Sequence, residues 1–201
     1  ATDEGRRLGW RGFVSQTWLG VIVAQFSLLV AVHEGVFGLL GPAVARDALN
    51  GARDWGIIAG CFGAGTLLGG LLSLKVSPRY PMRFATLLTF TFSAVPLVLA
   101  VPLPLALIAL AAFAQGVCGQ IFGVIWYTTL QKKVPEDLLS RVSAYDHLGS
   151  IALAPLGIVA AGFLFEALGA RTTPLLCVAT AVIPPIAAFM VRDVRNMTSS
   201  D

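Results

Sequence analysis

Residues 105–127 read LALIALAAFAQGVCGQIFGVIWY, a run without a single charge. Wound as an α-helix at 1.5 Å per residue, it is about 35 Å long and crosses a hydrocarbon core of roughly 30 Å. Five further stretches are as apolar, at 18–40, 55–74, 84–101, 148–168 and 172–191, with Glu34 and Glu166 the acids inside them. The third and the quoted fourth are divided only by the uncharged turn Val101-Pro102-Leu103-Pro104. Hydrophobic residues make up 56% of the 201 and charged residues 12%, against about 25% charged in a soluble domain. Six long runs with almost no polar face leave a soluble helical protein no solvated surface. The expected fold class is therefore all-α membrane, with six transmembrane helices in one domain over 1–201. Residues 1–15 form a cytoplasmic lead-in, 128–146 a cytoplasmic loop and 192–201 a cytoplasmic tail.

The basic residues set the orientation. Arg6, Arg7 and Arg11 precede the first span; Lys75, Arg79 and Arg83 follow the second; Lys132, Lys133 and Arg141 follow the fourth; Arg192 and Arg195 follow the sixth. The other side holds only Arg46, Arg53 and Arg171. This positive-inside bias predicts a multi-pass protein of the cell (inner) membrane with both termini cytoplasmic. The net charge of +3 is thus a topology signal, and no nucleic-acid partner is expected. Trp10, Trp18, Trp55, Trp126 and Tyr127 fall near span ends, where interfacial anchors belong. Within the loop after the fourth span, Pro135, Glu136, Asp137 and Arg141 are ordered as in a short interfacial helix.

Enzyme chemistry finds no footing. Cys61, Cys118 and Cys177 lie singly in apolar runs, without a CxxC or a metal-ligand spacing. His33-Glu34 lacks the second His of a zinc-protease helix, since Phe37 occupies that place. Gly63-Ala64-Gly65 lies mid-span with no strand before it, unlike a dinucleotide fingerprint. Asn196-Met197-Thr198 has the pattern of a glycosylation acceptor but falls on the cytoplasmic tail. No catalytic residue, cofactor or metal is expected. The opening Ala1-Thr2-Asp3-Glu4 carries no apolar leader, and the chain reads as part of something longer.

Glycine separates the spans into two kinds. None occurs between Gly70 and Gly116, and none after Gly169, so the third and sixth spans lack it. Small residues allow close helix approach or leave room for a cavity, whereas bulky helices can face lipid. The order small, small, bulky, repeated, predicts two three-helix repeats. Helical steps align Gly20, Ala24, Ser27, Ala31, Glu34, Gly38 and Gly41 in the first span. They align Gly56, Ala59, Gly63, Thr66, Gly70 and Ser73 in the second, and Ser143, His147, Ser150, Ala154, Gly157 and Ala161 in the fifth. The fourth offers Ala112, Gly116, Gly119 and Gly123, flanked by Gln115 and Gln120.

The polar members of these stripes are the candidate site. An acid inside an apolar run is costly in lipid and faces a cavity or an ion path. Glu34 is the first proton-coupling candidate, and the alternative is an acid near the outer mouth that reaches water. His147 and Asp146, where the fifth span begins, are the others; Asp146 also suits a cap or a pair with Arg141. Ser27, Gln115, Gln120 and Ser150 are candidates to line a substrate cavity or to bridge helices. His33 falls on the bulky stripe with Ile22, Phe26, Leu29, Val36 and Leu40. Glu166 reads as a solvated outer acid.

The run from Trp126 through Thr129-Leu130-Gln131-Lys132-Lys133-Val134-Pro135 to Leu138-Leu139-Ser140-Arg141-Val142-Ser143-Ala144-Tyr145-Asp146 and Leu148-Gly149-Ser150 resembles the major facilitator superfamily. The likeness is to its bacterial proton-driven drug and macrolide efflux proteins. Gly63-Ala64-Gly65-Thr66-Leu67-Leu68-Gly69-Gly70 before Lys75 and Arg79 is similar to that group's eighth helix and following loop, although Leu74 stands where the loop motif carries an acid. The resemblance implies that the chain is the second half of a major facilitator fold, helices seven to twelve. It implies secondary active, proton-coupled efflux of a hydrophobic or amphipathic small molecule. It also implies three partners: the lipid bilayer, that substrate and a missing N-terminal six-helix half. Import of a polar solute by the same fold, or a membrane scaffold that moves nothing, are the competing expectations.

Overall fold

The computed structural model describes residues 17–101 and 103–199, with only the backbone of Asp137, Leu138, Arg141 and Tyr145. The lead-in 1–15, with Trp10 and its arginines, lies outside them. Every element among the described residues is helical. Helix α1 covers Thr17–Ala48, α2 Ala52–Ser73, α3 Pro81–Ala100, α4 Leu105–Lys133 and α5 Glu136–Met190; a short α6 follows at Arg192–Asn196. The first five are long and apolar enough to cross a membrane. The chain is a multi-pass membrane protein, and the six expected spans coincide to within a residue with segments of these five helices.

The joints differ from expectation. Helix α1 runs on past Leu40, because Gly41-Pro42 does not end it. Pro42 has no N–H for a carbonyl one turn back, and the wider π turn Val36–Leu40 directly ahead of it absorbs the mismatch. The helix stops at a turn in which Gly51 takes φ +64°, open to glycine at low cost. Buried Asp54 closes that turn by accepting the Asn50 backbone N–H at 3.1 Å and its side-chain amide at 2.9 Å. Helix α3 tightens to a 3₁₀ turn at Phe90–Ser93, where Thr91 and Ser93 donate to carbonyls three residues back.

Residues 128–146 are largely helical. Helix α4 continues to Lys133 and α5 starts at Glu136, leaving Val134 and Pro135 between them. The expected interfacial helix is thus the first turn of a long one. Helix α5 has 55 residues, about 80 Å if straight, but it is broken at Gly169, where φ 81° and ψ 178° fit glycine alone. Thr173 Oγ1 donates to the Leu164 carbonyl at 2.9 Å. In a straight helix residues nine apart are separated by about 13 Å, so the chain turns sharply at Gly169 into two arms, 136–168 and 170–190, and Ala161 and Leu164 of the first line one cavity with Leu176 and Thr180 of the second.

The two largest interfaces pair α1 with α5 and α2 with α4, and glycine sits at both crossings. A Cβ on Gly157 would collide with the Ala31 carbonyl, and one on Gly35 would come within 2.9 Å of the Gly157 carbonyl. Between α2 and α4, Gly65 meets the Phe113 carbonyl, Gly69 the Val117 backbone and Gly116 the Phe62 carbonyl. Helix α3, glycine-free, wedges a buried face of Met82, Ala85, Thr86, Thr89, Phe92 and Val95 against the others. Large apolar side chains cover the outside: Leu67 on α2 is 76% exposed and Phe163 on α5 71%. A surface of this kind requires lipid or a partner.

Two expected anchors are core residues instead. Trp18 and Trp126 are buried and meet edge to face at 6.0 Å. The Trp126 indole N–H finds its partner in a protein carboxylate rather than at the membrane surface. Trp55 lies against Gly41, where no side chain larger than hydrogen fits, and beside Phe37 at 5.4 Å.

Candidate functional site

Midway along α1, His33 points into a layer of aromatic rings. Phe37 is 4.4 Å away on the same helix, Phe62 of α2 5.0 Å and Phe92 of α3 6.2 Å. Gln115 of α4 completes the layer, with Nε2 3.1 Å from His33 Nδ1. With the amide nitrogen donating, the imidazole holds its proton on Nε2. Gln115 is 2% exposed, and its Oε1 has no hydrogen-bond partner among the described residues. An unpaired buried acceptor is destabilising, so this oxygen is a place where a ligand or water hydrogen would be favourable. The four elements α1 to α4 therefore meet at one polar contact inside an aromatic shell.

Glu34 follows His33 but is half-buried and makes no side-chain hydrogen bond or ion pair among the described residues. The π turn begins two residues later, and such turns recur at functional positions in helices. Eight residues before His33, Gln25 is buried and donates from Nε2 to Thr89 Oγ1 at 2.8 Å, while Thr89 donates to the Thr86 carbonyl. Gln25 Oε1 and Thr86 Oγ1 have no partner among the described residues. The interface of α1 with α3 thus carries a second under-satisfied polar contact.

The other candidates lie apart from this layer. Asp146, in the early turns of α5, is 5% exposed and accepts the Trp126 indole N–H at 2.9 Å. His147 is exposed, with Nε2 3.4 Å from Tyr127 Oη. Together these contacts tie the end of α4 to the start of α5. Ser27 is buried against Gly149 of α5, whose added Cβ would come within 2.8 Å of its hydroxyl. Gln120 is half-buried beside Gly69 of α2, and Ser150 half-buried on α5. Glu34, Asp146 and His147 are therefore not one cluster.

Sequence reading placed His33 among bulky neighbours and missed its bond to Gln115, as well as Gln25, Thr86 and Thr89. The signal was present in the stripe Phe26, His33, Phe37: the bulky face of α1 meets α2, α3 and α4, while its small stripe meets α5 through Ser27 and Ala31. The small-residue stripe of α2 has the opposite fate. Gly56 and Gly63 have nothing within 4 Å of an added Cβ, and that face stands open.

Over 94% of its length the chain is 31% identical to the multidrug efflux pump Tap of Mycolicibacterium fortuitum. It spans 46% of that protein, about half its length. No family model matches the chain, and no solved structure matches it.

Proposed function

We propose that the chain is the second half of a secondary active exporter, built as six membrane crossings in two three-helix repeats of the major facilitator type. It moves a hydrophobic or amphipathic small molecule out of the cell in exchange for protons. The observation that carries this reading is the likeness to an efflux pump along nearly the whole chain, over about half of that pump. The sharp turn at Gly169 supports a sixth crossing, since each arm of α5 is long enough to span. With an even number of crossings, the basic residues put both termini in the cytoplasm.

The open α2 face and the exposed apolar residues of α2 and α5 supply the surface on which a first half would close a cavity. Gln115, with its unpaired oxygen inside an aromatic shell, is the best-placed substrate contact, and Gln120 and Ser150 extend the wall. Ser27 joins it only when α1 and α5 part. Glu34 is the favoured proton carrier. Asp146 and His147 serve the inner gate by holding α4 to α5.

Co-expression tests the proposal. Together with a matching six-crossing first half, the chain is expected to lower cellular accumulation of a lipophilic dye about tenfold, an order accessible to a coupled pump. A protonophore should reverse that effect, and either half alone should leave accumulation unchanged. Accumulation that stays unchanged with both halves present in the membrane contradicts the proposal.

A further inference from the structure

Lys75, Arg79, Arg83, Lys132, Arg192 and Arg195 gather at one end of the bundle by the course of the helices. There a cavity of about 280 Å³ opens between the end of α4, the α2–α3 turn and the chain after α6. Val76, Pro78, Val124 and Ile125 line it together with the two cationic side chains Lys132 and Lys133. Ser77 and Thr129 add hydroxyls that make no side-chain hydrogen bond among the described residues, and neither lysine makes an ion pair there. Ser73 and Thr128 also line the space, but they donate to the carbonyls of Gly70 and Val124.

Among the described residues, no acid and no aromatic ring lines the cavity. The neighbouring acids Glu136 and Asp193 are exposed and outside it. Arg79 and Arg83 lie over the rings of Tyr80 and Phe189 and leave the lysines as the cavity's own charges. The site therefore suits an anion rather than a cation, and it offers no ring on which a nucleotide base could stack.

We infer that this cavity binds a phosphate-bearing anion, with the headgroup of an anionic phospholipid as the source its position favours. Adjacent ammonium groups with free hydroxyls match phosphate oxygens, which only accept hydrogen bonds. Lys132 lies about 40 Å along α4 from Leu105, beyond a core of roughly 30 Å and so at headgroup depth. Leu74 at the rim, 84% exposed, gives acyl chains an apolar way out. Basic pockets between membrane helices bind lipid headgroups on this principle. The inference needs α4 to cross the bilayer and does not depend on transport.

The purified full chain in detergent is titrated with phosphatidylglycerol, with diacylglycerol of the same chains and with water-soluble glycerol 1-phosphate, read by native mass spectrometry. Phosphatidylglycerol should bind at one site, and Lys132→Gln with Lys133→Gln should weaken it about 30-fold, the effect of two lysines at a membrane surface. Arginine at both positions should restore binding, which separates loss of charge from misfolding. Arg192→Gln with Arg195→Gln, at the same end but outside the cavity, should change it less than about twofold. Lysine-dependent binding of the lipid alone locates the source in the bilayer; lysine-dependent binding of glycerol 1-phosphate as well points to a soluble phosphate compound, and either supports the site. Equal binding of diacylglycerol, equal loss in the Arg192 and Arg195 variant, or no binding at all overturns it.

Discussion

Replacing Glu34 by Gln is expected to abolish uphill, pH-driven efflux by the full transporter, by about a hundredfold, the lower end of what a positioned proton-transfer group supplies. Substrate binding and folding should be largely intact, because Gln keeps the shape and some of the hydrogen-bonding capacity. Glu34 is the only acid deep in an apolar run of α1, and it is half-buried without a partner among the described residues. A carboxyl group moved between an apolar wall and water changes its preferred protonation state. Glu34→Asp should retain partial coupling with a displaced pH optimum. Wild-type pumping by Glu34→Gln against a gradient would make the residue structural and move the role to Asp146 or to the other half.

The second large effect is expected at the helix crossings. Leu at Gly157 or Gly116 drives a side chain into the backbone of Ala31 or Phe62. Backbone cannot swing aside as a flexible side chain can, so the helix pair must separate along its length. Each substitution should lower stability by about 3 kcal/mol, the upper part of the overpacking range, which is more than a hundredfold in the folded-to-unfolded ratio. Ala at Gly56, Gly63 or Gly123, helical positions where nothing stands within 4 Å, should raise stability by about 0.4–1 kcal/mol rather than lower it. Thermal unfolding of purified protein reads both sets. Equal loss in the two sets would mean that the crossings are not where the structure has them.

The helices themselves were legible because lipid leaves the chain so little freedom. A run such as 105–127 has no alternative once its backbone must satisfy its own hydrogen bonds. The breaks were harder. The first expected span stopped at Leu40, yet a π turn carries α1 on through Gly41-Pro42. Conversely, the charges at 131–141 looked like a loop, though charge at a membrane surface does not stop a helix. Glycine stripes told that close packing occurs but not which stripe performs it. On α2 two stripes compete, and Gly65 with Gly69 make the contact while Gly56 and Gly63 stay open.

The candidate site shows the same limit. Glu34, Gln115 and Gln120 stood out as polar residues in apolar runs, which is a property of each residue alone. The bond of His33 to Gln115 joins positions 82 residues apart, and no local pattern reports such a pairing. Trp18 and Trp126 were misplaced at the membrane surface for the same reason: the Asp146 carboxylate that holds the Trp126 indole lies on another helix.

The transporter reading stands on six crossings, and single-cysteine labelling in intact cells tests that number directly. In a background with Cys61, Cys118 and Cys177 replaced, cysteines are placed one at a time at Asn50, Lys133, Ala170 and Ser199. A membrane-impermeant maleimide should label positions 50 and 170 from outside, and should reach 133 and 199 only after permeabilisation. If α5 crossed once rather than doubling back at Gly169, position 199 would be labelled from outside, and the six-crossing half-transporter would be contradicted.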